Sequence, residues 1–475
     1  MASRFSLYRR AFALRCVLVA LAVLVSGTVA VSSSSAVERA TPYLPAPTGP
    51  HPVGTTSLYL KDASRPDPWV PSAGARELMV SLWYPARLPG ARVAPYMTAK
   101  ESELLLKSAG ITTVPLDILS KTRTHAYADA RAAGRRLPLV VLSPGFNWPR
   151  SSLTALAEDL ASWGYVVAAI DHAYENAAMT FPDGRVVGCT ACDFQDLPNF
   201  EQTVIEGRAR DVSFVLGELT APRASRADRS WRSLLGPALI DRSRIAMAGM
   251  SIGGASVGET MLIDPRVRAG INLDGTMFKD LPASGLSRPF LMLGQNAPDP
   301  SWDRNWQHLT GWKRRLAVTG AVHASFTDYD TLTQQINVDL GSQLPGARSL
   351  DITRAYVRAF FDLTLRGKPQ PLLNHPSRRF PEVTFPRRVR AQVHYPPNPH
   401  LQSTCISPPA HNTSLHRPRS LSGAIPGKGS TDTSIRRGPV PDLGASSLEC
   451  FSEDCADAGG VGFFVVQEDG RAQAV

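Results

Sequence analysis

From residue 77 onward the apolar positions of this chain fall into a repeating rhythm. Leu78–Tyr84 alternates well enough to predict a strand, and helical spacing follows over Glu101–Lys107 and again over Ala126–Ala133. Leu137–Leu142 is a short apolar run leading into Pro144-Gly145, as expected of a strand buried on both faces. Leu153, Leu156 and Leu160 mark one face of a helix that stops at Gly164. Tyr165–Ile170 predicts the next buried strand, and Val204–Leu219 an amphipathic helix. Arg244–Ala248 reads as a strand running straight into Gly249, and Gly253–Ile263 as a helix with small residues on one side. Ala269–Leu273, Pro289–Leu293 and Leu316–Val322 give three more strands. A last helix, capped by Asp351, runs to Leu365 and is closed by Gly367.

Apolar strands alternating with helices predict the α/β class, with a mostly parallel central sheet and helices on both faces. Residues 77–390 hold all of these elements. Residues 37–76 are rich in Pro, Ser and Gly and read as an N-terminal arm. Residues 391–475 form a tail whose segment 396–445 is dense in Pro, Ser, Gly, Thr and Arg. Such a composition buries too little apolar surface to offset its ordering entropy, so the tail is expected to be disordered. Within it only Gly462–Val466 could make a strand, standing alone, and Cys450 and Cys455 are spaced to pair. No internal repeat is visible.

Residues 1–36 have the order of a secretory signal peptide: a basic start, an apolar run from Cys16 to Val25, then Ser26-Gly27-Thr28-Val29-Ala30. Cleavage after Ala30 or after Ala36 would fit. Arg9-Arg10-Ala11-Phe12 resembles a twin-arginine signal, so export by that route or the general one is expected, with a secreted product. The apolar run falls short of the ~20 residues a permanent span needs, and no other segment approaches that length. No stable membrane insertion is therefore expected.

Composition narrows the function classes. Hydrophobic residues at 43% and charged residues at 19% describe a globular protein with a sizeable core. The net charge of +10 invites a nucleic-acid reading, but four of those charges are Arg4, Arg9, Arg10 and Arg15, inside the signal. The remainder is not gathered into a basic stripe with interleaved aromatics, which argues against nucleic acid. Cys189 and Cys192 sit C-x-x-C in a polar loop with no second ligand pair at suitable spacing, so a local disulfide is expected and no metal.

The chemistry is concentrated in Gly249-Met250-Ser251-Ile252-Gly253, a G-x-S-x-G pattern. In the α/β-hydrolase fold this is the nucleophile elbow, where a serine sits on a strained strand-to-helix turn. Both flanking glycines, Gly249 and Gly253, are needed because side chains there would strike the neighbouring strand and helix. The pattern alone is permissive, but here an apolar strand precedes it and a small-residue helix follows. A serine needs a base, and in this fold the histidine comes last in the chain. That sets aside His172, which precedes the serine. Of His308, His323, His375, His394, His400, His411 and His416, only His323 directly follows an apolar strand. The acid stays open among Asp274, at one strand end, and Asp299 or Asp303, after the next. The oxyanion hole needs two backbone N–H groups. Ile252, after the nucleophile, would supply one, and Phe146, in the turn Ser143–Asn147, the other. No metal or organic cofactor is required.

These residues resemble the secreted, plasma-type platelet-activating factor acetylhydrolases and their bacterial esterase relatives. The likeness is carried by Leu82-Trp83-Tyr84-Pro85, Ser143-Pro144-Gly145-Phe146 and Gly249-Met250-Ser251-Ile252-Gly253-Gly254. It continues through Asn272-Leu273-Asp274-Gly275 and Val322-His323-Ala324-Ser325-Phe326-Thr327-Asp328, covering residues 75–366. In that family the acid follows the strand immediately after the nucleophile strand, so the resemblance implies Asp274 as the acid. Pro144 and Met250 stand where the family often has His; neither position supplies a catalytic side chain. The resemblance implies a secreted serine carboxylic ester hydrolase acting on short-chain or lipid esters through an acyl-enzyme on Ser251. A polyester or triglyceride lipase of the same fold is the alternative, and a catalytically inactive hydrolase-fold binding protein the third.

Overall fold

The computed structural model describes residues 41–221, 230–235, 238–386, 464–466 and 472–474. The signal-peptide reading and most of the tail reading fall outside these residues. Fourteen strands are described: β1 (Val53–Asp62), β2 (Arg76–Pro85), β3 (Tyr127–Ala128), β4 (Leu137–Ser143), β5 (Val166–His172), β6 (Met179–Thr180), β7 (Val186–Val187), β8 (Ile240–Met250), β9 (Val267–Leu273), β10 (Phe290–Gln295), β11 (Lys313–Val318), β12 (Val383–Thr384), β13 (Phe464–Val466) and β14 (Ala472–Ala474). The helices are α1 (Ala99–Ser108), α2 (Thr154–Ser162), α3 (Phe200–Thr220), α4 (Ser230–Leu235), α5 (Ile252–Ile263), α6 (Pro300–Trp306), α7 (Asp328–Gln335) and α8 (Gly346–Arg366).

Ten strands form one sheet in the order β12-β11-β10-β9-β8-β4-β5-β2-β1-β3. From β11 through β5 every neighbour is parallel, whereas β2 joins antiparallel to β5 and β1 antiparallel to β2. The central strands carry apolar runs through their middles because both faces are covered there. On one side Leu156, Leu160, Tyr356 and Phe360 pack on Val140 and Ala248; on the other Val212, Leu216, Val257 and Met261 pack on Val141 and Met247. The fold is therefore an α/β-hydrolase sheet, as the alternation of elements implied.

Several expectations are corrected. The stretch read as an N-terminal arm supplies β1, ten residues paired in register with β2 from Val53↔Pro85 to Asp62↔Arg76. Ala126–Ala133 is not helical: Tyr127 and Ala128 pair with β1, and Asp129 has φ 52°. Edge pairing overrides the helix propensity of its alanines. The strand expected to reach Val322 ends at Val318, because the chain turns at Gly320 with φ 82°. Asp351 is not a cap; α8 begins at Gly346, straight after Pro345. Finally, the strand in Gly462–Val466 is not alone, since β13 pairs antiparallel with β14.

Candidate active site

Three neighbouring strands in the middle of the sheet, β4, β8 and β9, deliver all the candidate residues but His323 from their carboxyl ends, where open α/β sheets place their sites. Strand β8 ends at Met250 and passes directly into α5, with Ser251 as the joint at φ 56°, ψ −129°. A serine with positive φ is strained, and the fold tolerates it because the backbone is fixed on both sides. The Ser251 N–H donates to the Leu273 carbonyl at 2.9 Å. A Cβ on Gly249 would stand 2.1 Å from the Gly253 oxygen, and one on Gly253 would stand 2.3 Å from the Ser143 oxygen. Both glycines of the pattern are therefore required by close backbone approach.

Strand β9 ends at Leu273, and Asp274 follows it with φ 52°. The buried Asn272 side chain closes this corner, accepting from the Gly275 N–H at 2.8 Å and donating to the Gly275 carbonyl at 2.8 Å. Asp274 Oδ2 lies 2.7 Å from His323 Nδ1. Its Oδ1 accepts the Gln295 N–H at 2.8 Å, and the Gln295 amide reaches Oδ2 at 3.3 Å. His323 sits at the start of a short 3₁₀ turn, His323–Phe326, shortly after β11. With Nδ1 taken by the carboxylate, Nε2 is the ring nitrogen left for chemistry.

Strand β4 leads into the turn Pro144–Asn147. A Cβ on Gly145 would lie 3.5 Å from Ser251 Cβ, so this turn lies against the serine. Phe146 stacks edge-on against Phe200 at 5.3 Å, which anchors its side chain away from that contact. Ile252 opens α5, whose first N–H groups have no partner within the helix. Trp148, beyond the turn, has its ring centre 6.0 Å from that of His323 and 5.1 Å from that of Tyr329. Behind Trp148 lies an apolar cavity of about 60 Å³, walled by Leu105, Leu106, Ala324, Tyr329, Leu332 and Val338.

The structure thus gathers Ser251, Asp274, His323, Phe146 and Ile252 around the carboxyl ends of β4, β8 and β9. It does not bring Asp299 or Asp303 to the histidine. Asp299 caps α6, accepting from the Ser301 N–H at 2.8 Å, and Asp303 is exposed and paired with Arg315 at 2.5 Å. Cys189 and Cys192 are bonded, with an Sγ–Sγ distance of 2.04 Å. Among the described residues no cluster of His, Cys, Asp or Glu is placed to hold a metal ion. Likewise, no described helix is long and apolar enough to cross a membrane. Sequence reasoning missed Gln295, although a polar residue ending the apolar run of β10 beside Asp274 was a readable signal.

Comparison with known proteins agrees with this architecture. The family model described as platelet-activating factor acetylhydrolase, isoform II, matches residues 37–185 and 227–355. The chain belongs to this family. Family membership makes it a carboxylic ester hydrolase. A solved structure of a ferulic acid esterase from Streptomyces cinnamoneus is 45% identical, with a TM-score of 0.65, covering 73% of this chain and all of that one. A protein of Arthroderma benhamiae named probable 1-alkyl-2-acetylglycerophosphocholine esterase is 29% identical over 382 residues, 72% of this chain and 93% of its own. The platelet-activating factor acetylhydrolase of Cavia porcellus is 28% identical over 318 residues, 62% of this chain and 70% of its own.

Proposed function

We propose that this chain is an exported serine esterase that hydrolyses short-chain or lipid esters through an acyl-enzyme on Ser251. The observation that carries the reading is the 2.7 Å contact between Asp274 and His323 beside a serine held at positive φ. His323 Nε2 takes the Ser251 hydroxyl proton as Oγ attacks the ester carbonyl. Asp274 holds the imidazole in the tautomer that leaves Nε2 free and stabilises the imidazolium that forms. The N–H groups of Phe146 and Ile252 receive the oxyanion, with the N-terminus of α5 adding its dipole. His323 then gives the proton to the departing alcohol oxygen. Water, deprotonated by the same nitrogen, attacks the acyl carbonyl and frees both acid and serine. No step calls for a metal or organic cofactor. Export rests on the signal-peptide order of residues 1–36.

The apolar cavity behind Trp148 supports an ester with a hydrocarbon portion, consistent with the lipid ester named for the Arthroderma relative. A second reading, esters of hydroxycinnamic acids, is favoured by the 45% identity to the ferulic acid esterase. One panel separates them: nitrophenyl esters of increasing chain length, a 2-acetyl phosphocholine lipid, a triglyceride, a polyester film and methyl ferulate. A fluorophosphonate probe tests the chemistry itself. Wild-type enzyme should be labelled and Ser251→Ala should not; labelling that survives the substitution would overturn the assignment.

A further inference from the structure

The molecule contains a second Ser–His–Asp set, and it is sealed. His172 Nδ1 lies 2.7 Å from Asp211 Oδ2, and its Nε2 lies 3.0 Å from Ser143 Oγ. All three residues are at most 1% exposed, so no substrate can reach them. Their position gives them another meaning: Ser143 is the last residue of β4, immediately before the turn that carries Phe146.

Arg208 of α3 joins this set to that turn. It is 1% exposed, donates through Nη1 to the Pro144 carbonyl at 2.5 Å and to Ser143 Oγ at 3.3 Å, and through Nε to Glu175 Oε2 at 2.8 Å. Glu175 is itself held by Arg76 at 2.8 Å and by the Trp69 indole N–H at 3.0 Å. Its backbone carbonyl accepts the Asn147 N–H at 2.9 Å. One ion pair therefore grips both ends of a four-residue turn, Pro144 through the arginine and Asn147 through the glutamate's own backbone. Between the two grips, the Phe146 N–H donates to no protein acceptor among the described residues.

Stability alone does not account for these charges. Desolvating buried ions offsets most of their attraction, and an apolar replacement of similar volume is often as stable. What a charge-assisted bond to a carbonyl adds is direction. Arg208 Nη1 fixes the Pro144 oxygen at 2.5 Å. The same oxygen would lie 2.5 Å from a Cβ on Gly253, so it is held between Arg208 and the first turn of α5.

We propose that Arg208, braced by Glu175 and the Ser143 hydroxyl, is a positioning residue that fixes the distance and orientation of the Phe146 N–H toward the oxyanion. The proposal rests on the serine-esterase reading above. Arg208→Lys keeps the positive charge against Glu175, but one ammonium cannot reproduce the fork that reaches Pro144, Ser143 and Glu175 together.

The test uses the full chain, with active sites titrated by fluorophosphonate so that kcat is expressed per competent site. In Arg208→Lys, kcat per site should fall about 10- to 100-fold, below the full loss of an oxyanion donor. KM should stay within a factor of about two, because the donor acts in the transition state. Affinity for a trifluoromethyl ketone, which binds as the tetrahedral oxyanion, should fall by the same factor as kcat. A merely structural role would lower the thermal midpoint or the titre and leave kcat per site and ketone affinity unchanged; that result overturns the proposal. If Arg208→Lys does not fold, Ser143→Ala decides, since it removes one brace and no charge. A several-fold loss of kcat per site at constant KM supports the proposal, and wild-type kcat overturns it. Wild-type enzyme that fails to label would instead overturn the esterase reading itself.

Discussion

Asp274 Oδ2 stands 2.7 Å from His323 Nδ1, while its Oδ1 accepts the Gln295 N–H at 2.8 Å. The second bond fixes the carboxylate plane, so that the first fixes the imidazole. Asp274→Asn should therefore lower kcat by about ten-thousand-fold with the fold intact, since the amide can favour the wrong tautomer. Asp299→Asn should leave kcat unchanged, because Asp299 holds the start of α6 and the Thr276 hydroxyl and makes no bond to His323. Its cost should be under about 1 kcal/mol, as Asn is also a good cap. Steady-state kinetics with a soluble nitrophenyl ester check both, and the reverse pattern would reassign the acid.

Gly275 binds the acid corner to the elbow. A Cβ there would meet the Ser251 carbonyl oxygen at 2.1 Å and Asn272 Oδ1 at 2.7 Å. Gly275→Ala must push the β9 corner away from the serine. We expect a loss of about 1–3 kcal/mol in urea unfolding, the usual cost of overpacking. Turnover should fall by more than tenfold, because both Ser251 and Asp274 are displaced. Retention of wild-type turnover would show that the corner is not rigid.

The elements legible in the sequence were those with both faces buried. Strands β4, β5, β8, β9 and β10 read as apolar runs because their middle stretches are buried on both faces. Strand β1 escaped notice because it lies near the sheet edge: Ser57, Lys61 and other polar residues interrupt its pattern and leave no run to see. The proposed nucleophile and base were readable because an elbow needs glycines and a base must follow a strand. The proposed acid was not. Three aspartates follow strands, and what separates them is the left-handed corner at Asp274 together with Asn272 and Gln295, which spacing does not encode. Arg208, Glu175 and Asp211 were least visible, since a charged residue on a helix or loop reads as a solvated face until its partners are known.

The Cys189–Cys192 bond closes a very short loop, with a sequence separation of 3. Chain-entropy reasoning assigns such a closure about 2 kcal/mol at most. The loop packs toward the site: Ala191 and Phe194 share an apolar cluster with Phe200, Ile252 and Phe146. Reduction should therefore lower the thermal midpoint only modestly while raising KM for bulky esters more than for acetate esters. Paired measurements with and without dithiothreitol check this; an equal change in KM for both substrates would remove the loop from the binding surface.

Asp328 offers a pH test with a definite sign. Its carboxyl is fully buried at the start of α7 and accepts the Ala155 N–H at 3.1 Å. Burial raises its pKa well above the ordinary value, and the nearby Glu158 adds to this, while the Ala155 N–H and Arg354 oppose it. In the unfolded chain an aspartate titrates near about 3.9. Between that value and its higher folded value, the native state holds a proton that the unfolded state has lost. The contribution of Asp328 to stability is thus fully present below about pH 4 and declines as pH rises toward the folded value. Asn copies the neutral acid in shape and can still accept from Ala155, but it does not titrate. Thermal unfolding of wild type and Asp328→Asn should show the wild-type advantage shrinking from pH 5 to pH 8, with the variant equal or superior at the upper end. A wild-type advantage that grows with pH would mean that the carboxylate is charged in the folded protein, held so by Arg354.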